Sequence, residues 1–338
     1  MLKTVVDLEH KLSEPTPELV EDLKGLDGDI LILGVSGKMG PTLAQMAVRA
    51  AELAGKGQKV YGAARFSNPD ERARLDEMGV ETIAIDLLND DLSTLPEAPN
   101  VIYMVGHKFG TTGREHMAWA INTFTAGRVA ETLRDRWFVV FATGNVYPLT
   151  PVFQGGATEE HKPDPVGEYA QSCLGRERLF QYAAEKFNTP VLIYRLNYAI
   201  DLRYGVLCDI AQRVYAGESV DLNMGHVNVI WQGDANERAL RALKYVSNPP
   251  KILNITGPET LSVRWLAEEF GKRFGREVHF TGTEQETALL SNAQESMRLF
   301  GYPKVTIHQM LDWTAEWIAN GLPLLNKPTH FTERKGAF

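Results

Sequence analysis

The feature that most constrains this chain is residues 29–41, Asp-Ile-Leu-Ile-Leu-Gly-Val-Ser-Gly-Lys-Met-Gly-Pro. Four consecutive apolar residues that run into a glycine turn predict a parallel strand covered on both faces. Gly34, Gly37 and Gly40 let the backbone turn sharply and come close to a ligand, and Pro41 suits the first turn of a helix. A strand, turn and helix in this order direct backbone N–H groups and the positive helix end to one point, which favours binding of a pyrophosphate.

The rest of the chain alternates strand-like and helical segments. Strands are predicted at 59–64, 81–86, 100–105, 137–143, 190–196 and 251–256, and helices at 69–77, 114–134, 167–186 and 234–246. This alternation predicts an α/β protein with a Rossmann-type doubly wound parallel sheet. Two later amphipathic helices, at 262–274 and 306–320, predict a smaller α-rich C-terminal substrate subdomain.

These segments divide the chain into four expected parts. They are an N-terminal extension over residues 1–28, a dinucleotide-binding domain over 29–200 and 222–257, a substrate-binding cap over 201–221 and 258–325, and a tail over 326–338. The extension is expected to pack on the outside of the domain. Two alternatives stay open for the polar tail, which are loose order and packing on a neighbouring chain.

Composition excludes several classes of partner. A formal net charge of −8 argues against a general nucleic-acid binder, and no stretch approaches the ~20 apolar residues of a membrane span. The first nine residues show no signal-peptide pattern. Cys173 and Cys208 are the only cysteines, and their spacing is not that of a metal site. We therefore expect a cytoplasmic protein without a metal, acting on a small molecule.

The end of the second strand bears on the type of cofactor. NAD sites usually carry an acidic residue there, which binds the ribose 2′-hydroxyl, whereas NADP sites carry arginine for the 2′-phosphate. This strand ends Ala63-Ala64-Arg65, and Lys38 in the glycine turn supplies a second positive charge. The sequence therefore predicts NADP(H) in preference to NAD(H). The alternative is that Arg65 is simply a solvated residue at a strand end.

Several motifs, in order along the chain, resemble the extended short-chain dehydrogenase/reductase family, which includes the NAD-dependent epimerases and dehydratases. After the glycine turn come Asp86-Leu87, Asn122 in Ala-Ile-Asn-Thr, the segment Thr143-Gly-Asn-Val-Tyr and Tyr169 in Glu-Tyr-Ala-Gln-Ser-Cys. Residues 254–259, Asn-Ile-Thr-Gly-Pro-Glu, resemble the start of the family's cap domain. The resemblance implies an NAD(P)-dependent oxidoreductase or epimerase that acts on a carbonyl or secondary alcohol of a small sugar-like substrate.

The resemblance and the strand ends together nominate a set of site residues. In this reading Tyr169 exchanges the proton of the substrate oxygen and Thr143 hydrogen-bonds to it, although Thr143 could be an ordinary β-branched strand residue. The cofactor is expected at Gly34, Ser36, Gly37, Lys38, Met39, Gly40, Arg65, Asp86, Leu87, Met104, Val105, Gly106, Asn122, Tyr169 and Leu196. The substrate is expected at His107, Asn145, Asn197, His226 and Trp231. The alternatives are an exposed loop position for His107 and a structural role for His226.

One position departs from the family pattern, because Cys173 stands where the family has lysine in Tyr-x-x-x-Lys. A tyrosine with an ordinary pKa of ~10 is a poor base near neutrality unless a nearby ammonium favours the phenolate. Lys108 is the first candidate to replace that ammonium and Lys162 the second, although Lys108 could instead point to solvent. Cys173 itself is interpreted as a small packing residue, with a reactive thiol as the alternative. The presence of Cys173 in place of lysine also supports an alternative hypothesis, in which the protein is a catalytically silent sensor that binds NADP(H).

The resemblance further implies a homodimer in which the helices at 114–134 and 167–186 pair across a two-fold axis. Nucleotide-sugar enzymes of this family usually carry arginines in the cap that hold the diphosphate. Residues 203–233 contain only Arg203 and Arg213, which favours a smaller substrate.

Overall fold

Seven parallel strands form one sheet in a computed structural model of the protein, which describes residues 2–108, 113–327 and 329–336. The strands are β1 (Ile30–Leu33), β2 (Val60–Ala64), β3 (Glu81–Ala84), β4 (Asn100–Tyr103), β5 (Trp137–Thr143), β6 (Val191–Leu196) and β7 (Lys251–Ile255). Their order in the sheet is β7-β6-β5-β4-β1-β2-β3, with every neighbouring pair parallel. The predicted doubly wound sheet is confirmed, and predicted strand ends differ from the observed ones by at most two residues.

Helices cover both faces of the sheet and build the cap. They are α1 (Val5–Leu12), α2 (Pro17–Lys24), α3 (Gly40–Ala54), α4 (Pro69–Glu77), α5 (Glu115–Trp119), α6 (Thr125–Thr132), α7 (Gly167–Phe187), α8 (Val206–Ala216), α9 (Gln232–Arg241), α10 (Val263–Phe274), α11 (Gln294–Phe300) and α12 (Ile307–Ala319). A π-helical turn, Ala120–Phe124, joins α5 to α6. The helix predicted at 114–134 therefore contains a local bulge, a feature common near functional sites.

Apolar clusters explain why the sheet is buried on both faces. All four side chains of β1 are fully buried. Ile30 and Ile32 belong to one cluster, which contains the apolar faces of α3 and α9, while Leu31 and Leu33 belong to the opposite cluster beneath α6 and α7. A third cluster fills the cap, where α8, α10 and α12 pack together.

The N-terminal extension contributes to two of these clusters. Leu8 and Leu12 of α1 are fully buried in the cap cluster, whereas Leu19 and Leu23 of α2 are buried in the cluster shared with α3. The extension therefore packs against both the sheet and the cap.

The tail packs on its own chain in the part that the structure describes. Phe331 is buried in the cap cluster, and the Arg334 guanidinium donates to the Thr287 carbonyl at 2.8 Å. Gly336 lies so close to the start of α7 that a Cβ on Gly167 would stand 2.4 Å from the Gly336 carbonyl oxygen. The described tail residues thus contact the body of their own chain, and packing on a neighbouring chain stays a prediction.

Within the described ranges, no helix combines the length and the apolar character needed to cross a membrane. The same residues contain no group of three His, Cys, Asp or Glu side chains placed to share a metal ion.

Candidate active site

The start of α3, directly after the glycine turn, is open to an anion. No side chain caps this helix end and its first turn contains no acidic residue, whereas the Thr16 and Thr306 hydroxyls cap α2 and α12. The first N–H groups of a helix lack intrahelical partners and carry partial positive charge. The residues present here therefore fit the pyrophosphate of a dinucleotide.

Two glycines of the turn are required by close contacts. Gly34 has a φ of +88°, and a Cβ there would stand 3.0 Å from the backbone nitrogen of Val105. A Cβ on Gly40 would stand 2.0 Å from the Val35 carbonyl oxygen. The turn is thus pressed against the segment that follows β4, where the predicted cofactor residues Met104, Val105 and Gly106 lie.

The end of β2 carries positive charge. Arg65 is exposed directly after this strand. Burial lowers the pKa of nearby His107, and the positive charges of Arg114 and Arg65 lower it further. His107 is not among the residues that line the cleft described below, and its assignment as a substrate contact stays a prediction.

Asp86 and Leu87 follow β3, as predicted for residues near the adenine. The Asp86 carboxylate accepts hydrogen bonds from the Leu88 backbone N–H at 3.0 Å and from the Asn89 amide at 2.9 Å. Leu87 is buried. The carboxylate thus shapes its own turn at the sheet edge.

Lys38 points away from Arg65. Its ammonium donates to the Ala199 carbonyl at 3.2 Å and lies 4.4 Å from the centroid of the Tyr204 ring. Ala199 follows β6, and β6 and β2 lie on opposite sides of β1 in the sheet. The expectation that Lys38 assists Arg65 at a 2′-phosphate is therefore wrong, because the side chain reaches toward the cap.

A cleft of about 180 Å³ opens at the carboxyl ends of β5 and β6. Eight predicted site residues line it, namely Lys38, Met39, Lys108, Thr143, Asn145, Tyr169, Leu196 and Asn197. The remaining lining residues were not predicted and are Ala142, Tyr198, Ala199, Tyr204, Gly205, Val206 and Thr329. Among them, Tyr198 has a φ of 43°, a backbone conformation that is unusual for a bulky side chain.

Tyr169 and Thr143 meet in this cleft. Thr143 is the last residue of β5 and Tyr169 lies in the first turn of α7. The side chains of Thr143 and Cys173 lie close enough to the Tyr169 hydroxyl to influence its pKa through hydrogen bonding. Burial raises the pKa of Tyr169 well above its usual range, so the side chain is a protonated phenol at neutral pH. Two hydroxyl groups are thus available to one substrate oxygen.

Cys173 lies one helical turn after Tyr169 and is buried. Burial raises the pKa of its thiol. A neutral, buried thiol is neither a good nucleophile nor a ready target of oxidation, which argues against the reactive alternative.

A cation that was not predicted lies beyond this thiol. Arg176 is buried, and its Nη2 atom lies 3.9 Å from the Cys173 sulfur. The guanidinium donates to the carbonyl and side-chain oxygens of Asn122 at 3.2 and 3.0 Å and to the Phe141 carbonyl at 2.7 Å. All three acceptors are neutral, and the neighbouring Glu177 is instead paired with Arg195 at 2.6 Å. Arg176 therefore brings positive charge to the buried side of the tyrosine.

Asn122 connects this arginine to the segment after β4. Its side chain is fully buried in the π-helical turn. It accepts from the His107 N–H at 2.8 Å, and it donates to the His107 carbonyl at 3.0 Å and to the Ser172 hydroxyl at 2.9 Å. The side chain thus fixes the backbone that faces the glycine turn.

Of the two lysines considered as replacements, only Lys108 is placed near the tyrosine. Its Nζ atom lies 5.9 Å from the centroid of the Tyr169 ring and donates to the Thr329 carbonyl at 3.4 Å. Burial lowers the pKa of Lys108 to about 8. Lys162 is exposed in the segment before α7.

Two predicted substrate contacts lie elsewhere. Trp231 is buried in the cap cluster, where its ring stands 5.3 Å from that of Trp313. His226 belongs to a two-residue strand that pairs with Leu261–Ser262. Neither side chain lines the cleft. The alternation at 226–232 predicted a strand with one face toward the substrate, but the chain starts α9 at Gln232 and turns this segment into the cap.

Comparison with known proteins agrees with this geometry. The sequence pattern of the NAD dependent epimerase/dehydratase family matches residues 30–205. The structure resembles UDP-glucuronic acid 4-epimerase from Bacillus cereus in complex with NAD, with a TM-score of 0.71 and 18% identity over 86% of this chain and 99% of that one. It also resembles the epimerase Mth375 from Methanothermobacter thermautotrophicus, with a TM-score of 0.71 and 15% identity over 91% and 97% of the two chains.

A third similar structure is UDP-glucose 4-epimerase from Thermotoga maritima with UDP-glucose, with a TM-score of 0.68 and 15% identity over 87% of this chain and 99% of that one. No curated protein matches the chain. The resemblance stated from the motifs is confirmed, as is the expectation of an enzyme of the oxidoreductase/epimerase type at the level of the family. The chain belongs to the NAD-dependent epimerase/dehydratase family.

Proposed function

We propose that the protein uses a nicotinamide dinucleotide to transfer hydride at a carbonyl or secondary alcohol of a small sugar-like substrate, as an oxidoreductase or an epimerase. The observation that carries this proposal is that Tyr169 and Thr143 line one cleft at the carboxyl edge of the sheet. The uncapped start of α3 lies at the same edge. Ligands of open parallel sheets bind at this edge.

The cofactor supplies the hydride acceptor or donor when it is bound. The glycine turn and the start of α3 would hold its pyrophosphate, and Met39 and Leu196, which line the cleft, would border its reactive end. Tyr169 exchanges a proton with the substrate oxygen, and Thr143 donates a hydrogen bond to that oxygen as charge develops on it.

In this proposal Arg176 supplies the positive charge that the family's lysine normally places near the tyrosine. An ammonium beside the tyrosine would favour the phenolate, and a guanidinium can do the same through space. The path runs from the Tyr169 hydroxyl to the Cys173 thiol, which lies 3.9 Å from the Arg176 Nη2 atom. Lys108, whose Nζ atom lies 5.9 Å from the centroid of the Tyr169 ring, contributes a second positive charge.

A small substrate is favoured over a nucleotide sugar by the state of the two arginines in residues 203–233. Arg203 is paired with Asp201 and with Glu9, each at 2.8 Å. Arg213 is paired with Glu218 at 3.7 Å. Because carboxylates already neutralise both guanidinium groups, neither supplies the uncompensated charge that a diphosphate needs.

We retain NADP(H) as the proposed cofactor. Arg65 is exposed at the end of β2, and the positive charges of Arg114 and Arg65 both lower the pKa of His107. Two guanidinium groups suit a 2′-phosphate better than a ribose hydroxyl. The two cysteines are free, so we also retain the cytoplasm as the proposed compartment.

The proposal is tested by the change Tyr169→Phe. Purified protein is incubated with oxidised and reduced cofactor and a panel of sugars, aldonates and their keto forms, while nicotinamide absorbance is followed. We expect turnover with at least one substrate, a loss of about 100-fold or more in Tyr169→Phe, since general acid–base catalysis contributes 10²–10⁴-fold, and nearly unchanged cofactor affinity.

An unchanged rate in Tyr169→Phe would remove the tyrosine from the mechanism. Cofactor binding without turnover of any substrate by the wild-type protein would favour the silent sensor. The control is Tyr302→Phe, which removes the hydroxyl of an exposed tyrosine outside the cleft and should leave the rate unchanged.

A further inference from the structure

The charge of the cleft indicates what kind of small molecule enters it. Its lining contains Lys38 and Lys108, and among the described residues that line it there is no Asp or Glu. We propose that the substrate carries an acidic group, a carboxylate or a phosphate, and that Lys38 binds this group. The inference rests on the proposed function and adds the chemical class of the substrate.

Lys38 is held ready for an anion by neutral groups. Its ammonium donates to the Ala199 carbonyl and stands over the Tyr204 ring. No described carboxylate lies within ion-pair distance of it. The nearby Asp201 is instead paired with Arg203 at 2.8 Å. A lysine has three N–H donors, so the ammonium can donate to a ligand oxygen without losing the Ala199 contact.

The surroundings of Lys38 favour a negative ligand energetically. Burial and the positive charges of Arg203 and Lys108 lower the pKa of Lys38 to about 8, although Asp201 opposes this effect. Two ammonium groups that repel each other in a partly dehydrated cleft are stabilised when an anion joins them. A neutral sugar would leave this repulsion in place.

The Lys38 ammonium lies away from the expected pyrophosphate site, so an anion bound to it would belong to the substrate and not to the cofactor. The backbone N–H groups at the start of α3 form the pyrophosphate site, whereas the Lys38 side chain extends to Ala199 and Tyr204 beside the cap. Thr143 and Asn145 line the same cleft. The acidic group would therefore lie on the cap side of the carbon that reacts.

The experiment compares two matched pairs of ligands that differ in charge. D-gluconate and D-gluconamide, and D-glucose 6-phosphate and D-glucose, are titrated calorimetrically into the protein saturated with oxidised cofactor at pH 7. At least one anion should bind about tenfold or more tighter than its uncharged counterpart, since a hydrogen bond to a charged group contributes enough for that ratio. Lys38→Met should abolish the preference, and Lys38→Arg should restore part of it.

Lys24→Met is the matched control, because Lys24 is an exposed lysine on α2 that is paired with Glu21. It should leave the preference intact. The proposal is overturned if neither anion exceeds its uncharged counterpart, or if the preference survives in Lys38→Met. A loss of cofactor affinity in Lys38→Met with an unchanged ligand ratio would assign the lysine to the pyrophosphate, which also overturns it.

A cofactor-free titration separates this inference from the proposed function. If the wild-type protein binds no dinucleotide, the proposed function fails, whereas the anion preference is still measured in the cofactor-free protein. The pH dependence adds a second readout. The charged and titratable groups that face Lys38 are Asp201, Arg203, Cys208, Lys108 and Tyr204. Because the ammonium loses its proton as the pH rises through about 8, the preference should be full at pH 6.5 and should fade above about 9.

Discussion

At the scale of single residues, the site depends on where positive charge lies around Tyr169. The family pattern places a lysine four residues after the tyrosine, and this chain places Cys173 there and Arg176 three residues later. Tyrosine, cysteine and arginine at these spacings share one face of a helix. The arginine side chain is long enough to reach Asn122 and Phe141, where neutral oxygens hold it. The positive charge thus lies three residues further along the helix than the lysine of the family pattern.

Removal of this charge should shift the pH profile of the reaction. In the direction of alcohol oxidation, the rate rises with pH as Tyr169 ionises. In Arg176→Met we expect the increase in rate to occur at a pH about one unit or more higher, because a nearby opposite charge lowers an acid's pKa by 1–3 units. The profile is measured with the substrate identified by the panel of small molecules.

Two variants separate charge from structure in this measurement. Arg176→Lys keeps a cation and should return the profile part of the way. Arg178→Met removes an exposed arginine of the same helix and should leave the profile unchanged. A folded Arg176→Met protein whose rate falls without any shift of the profile would show that the arginine is structural only.

The limits of sequence reasoning are clear at this scale. Thr143 could be placed in the cleft because it ends a central strand of the sheet, and Tyr169 because it matches the tyrosine motif of the family. The direction of the Lys38 side chain could not be predicted, since Ala199 and Tyr204, which hold it, lie more than 160 positions away. Thr329 was missed for the same reason, because its hydrogen-bond partners Asp209 and Lys108 lie more than 100 positions away.

At the scale of elements, α6 and α7 leave an apolar surface uncovered. Phe124 and Tyr182 are 60% and 53% exposed. Together with Gly127 and Leu179 they line a shallow depression between the two helices. Large exposed apolar side chains that cluster on paired helices are typical of a protein interface, which supports the homodimer implied by the resemblance.

We expect sedimentation at micromolar concentration to give a dimer, and Tyr182→Glu to give a monomer, since a charge at a buried two-fold contact meets its own copy. Phe153→Glu is the control, because Phe153 is 86% exposed and lies outside α6 and α7. A monomeric wild-type protein, or a dimer that survives Tyr182→Glu, would contradict this interface.

Element boundaries followed from the sequence wherever local chemistry decides them. Trp137–Thr143 and Pro69–Glu77 were predicted with their observed ends, because apolar β-branched residues and an Asn-Pro cap mark them. The π-helical turn Ala120–Phe124 was not predicted. It depends on long-range contacts of Asn122 with His107 and Ser172, which periodicity does not report.

At the scale of the whole molecule, the chain is a parallel sheet and a cap held together by its two termini. The N-terminal Glu9 carboxylate binds Arg203 in the cap at 2.8 Å and Arg74 beside the sheet at 2.9 Å. The C-terminal segment places Thr329 in the cleft and Gly336 against the start of α7. The C-terminal segment therefore borders the site, whereas the N-terminal extension links the sheet to the cap.

The central claim is that a nicotinamide dinucleotide binds on the turn from Gly34 to Gly40. The most direct test is calorimetric titration of NADP⁺ and NAD⁺ into the wild-type protein and into Gly37→Val. Gly37 is exposed, and a Cβ there would meet only the Gly34 carbonyl oxygen at 3.3 Å. The variant should therefore fold while its side chain occupies the pyrophosphate site.

Gly25→Val, at the end of α2, is the control. We predict that both dinucleotides bind the wild-type protein, NADP⁺ more tightly, and that Gly37→Val weakens both by about 100-fold or more, because several charge-assisted hydrogen bonds are lost. Absence of binding to the wild-type protein, or equal affinity in folded Gly37→Val, would contradict the account.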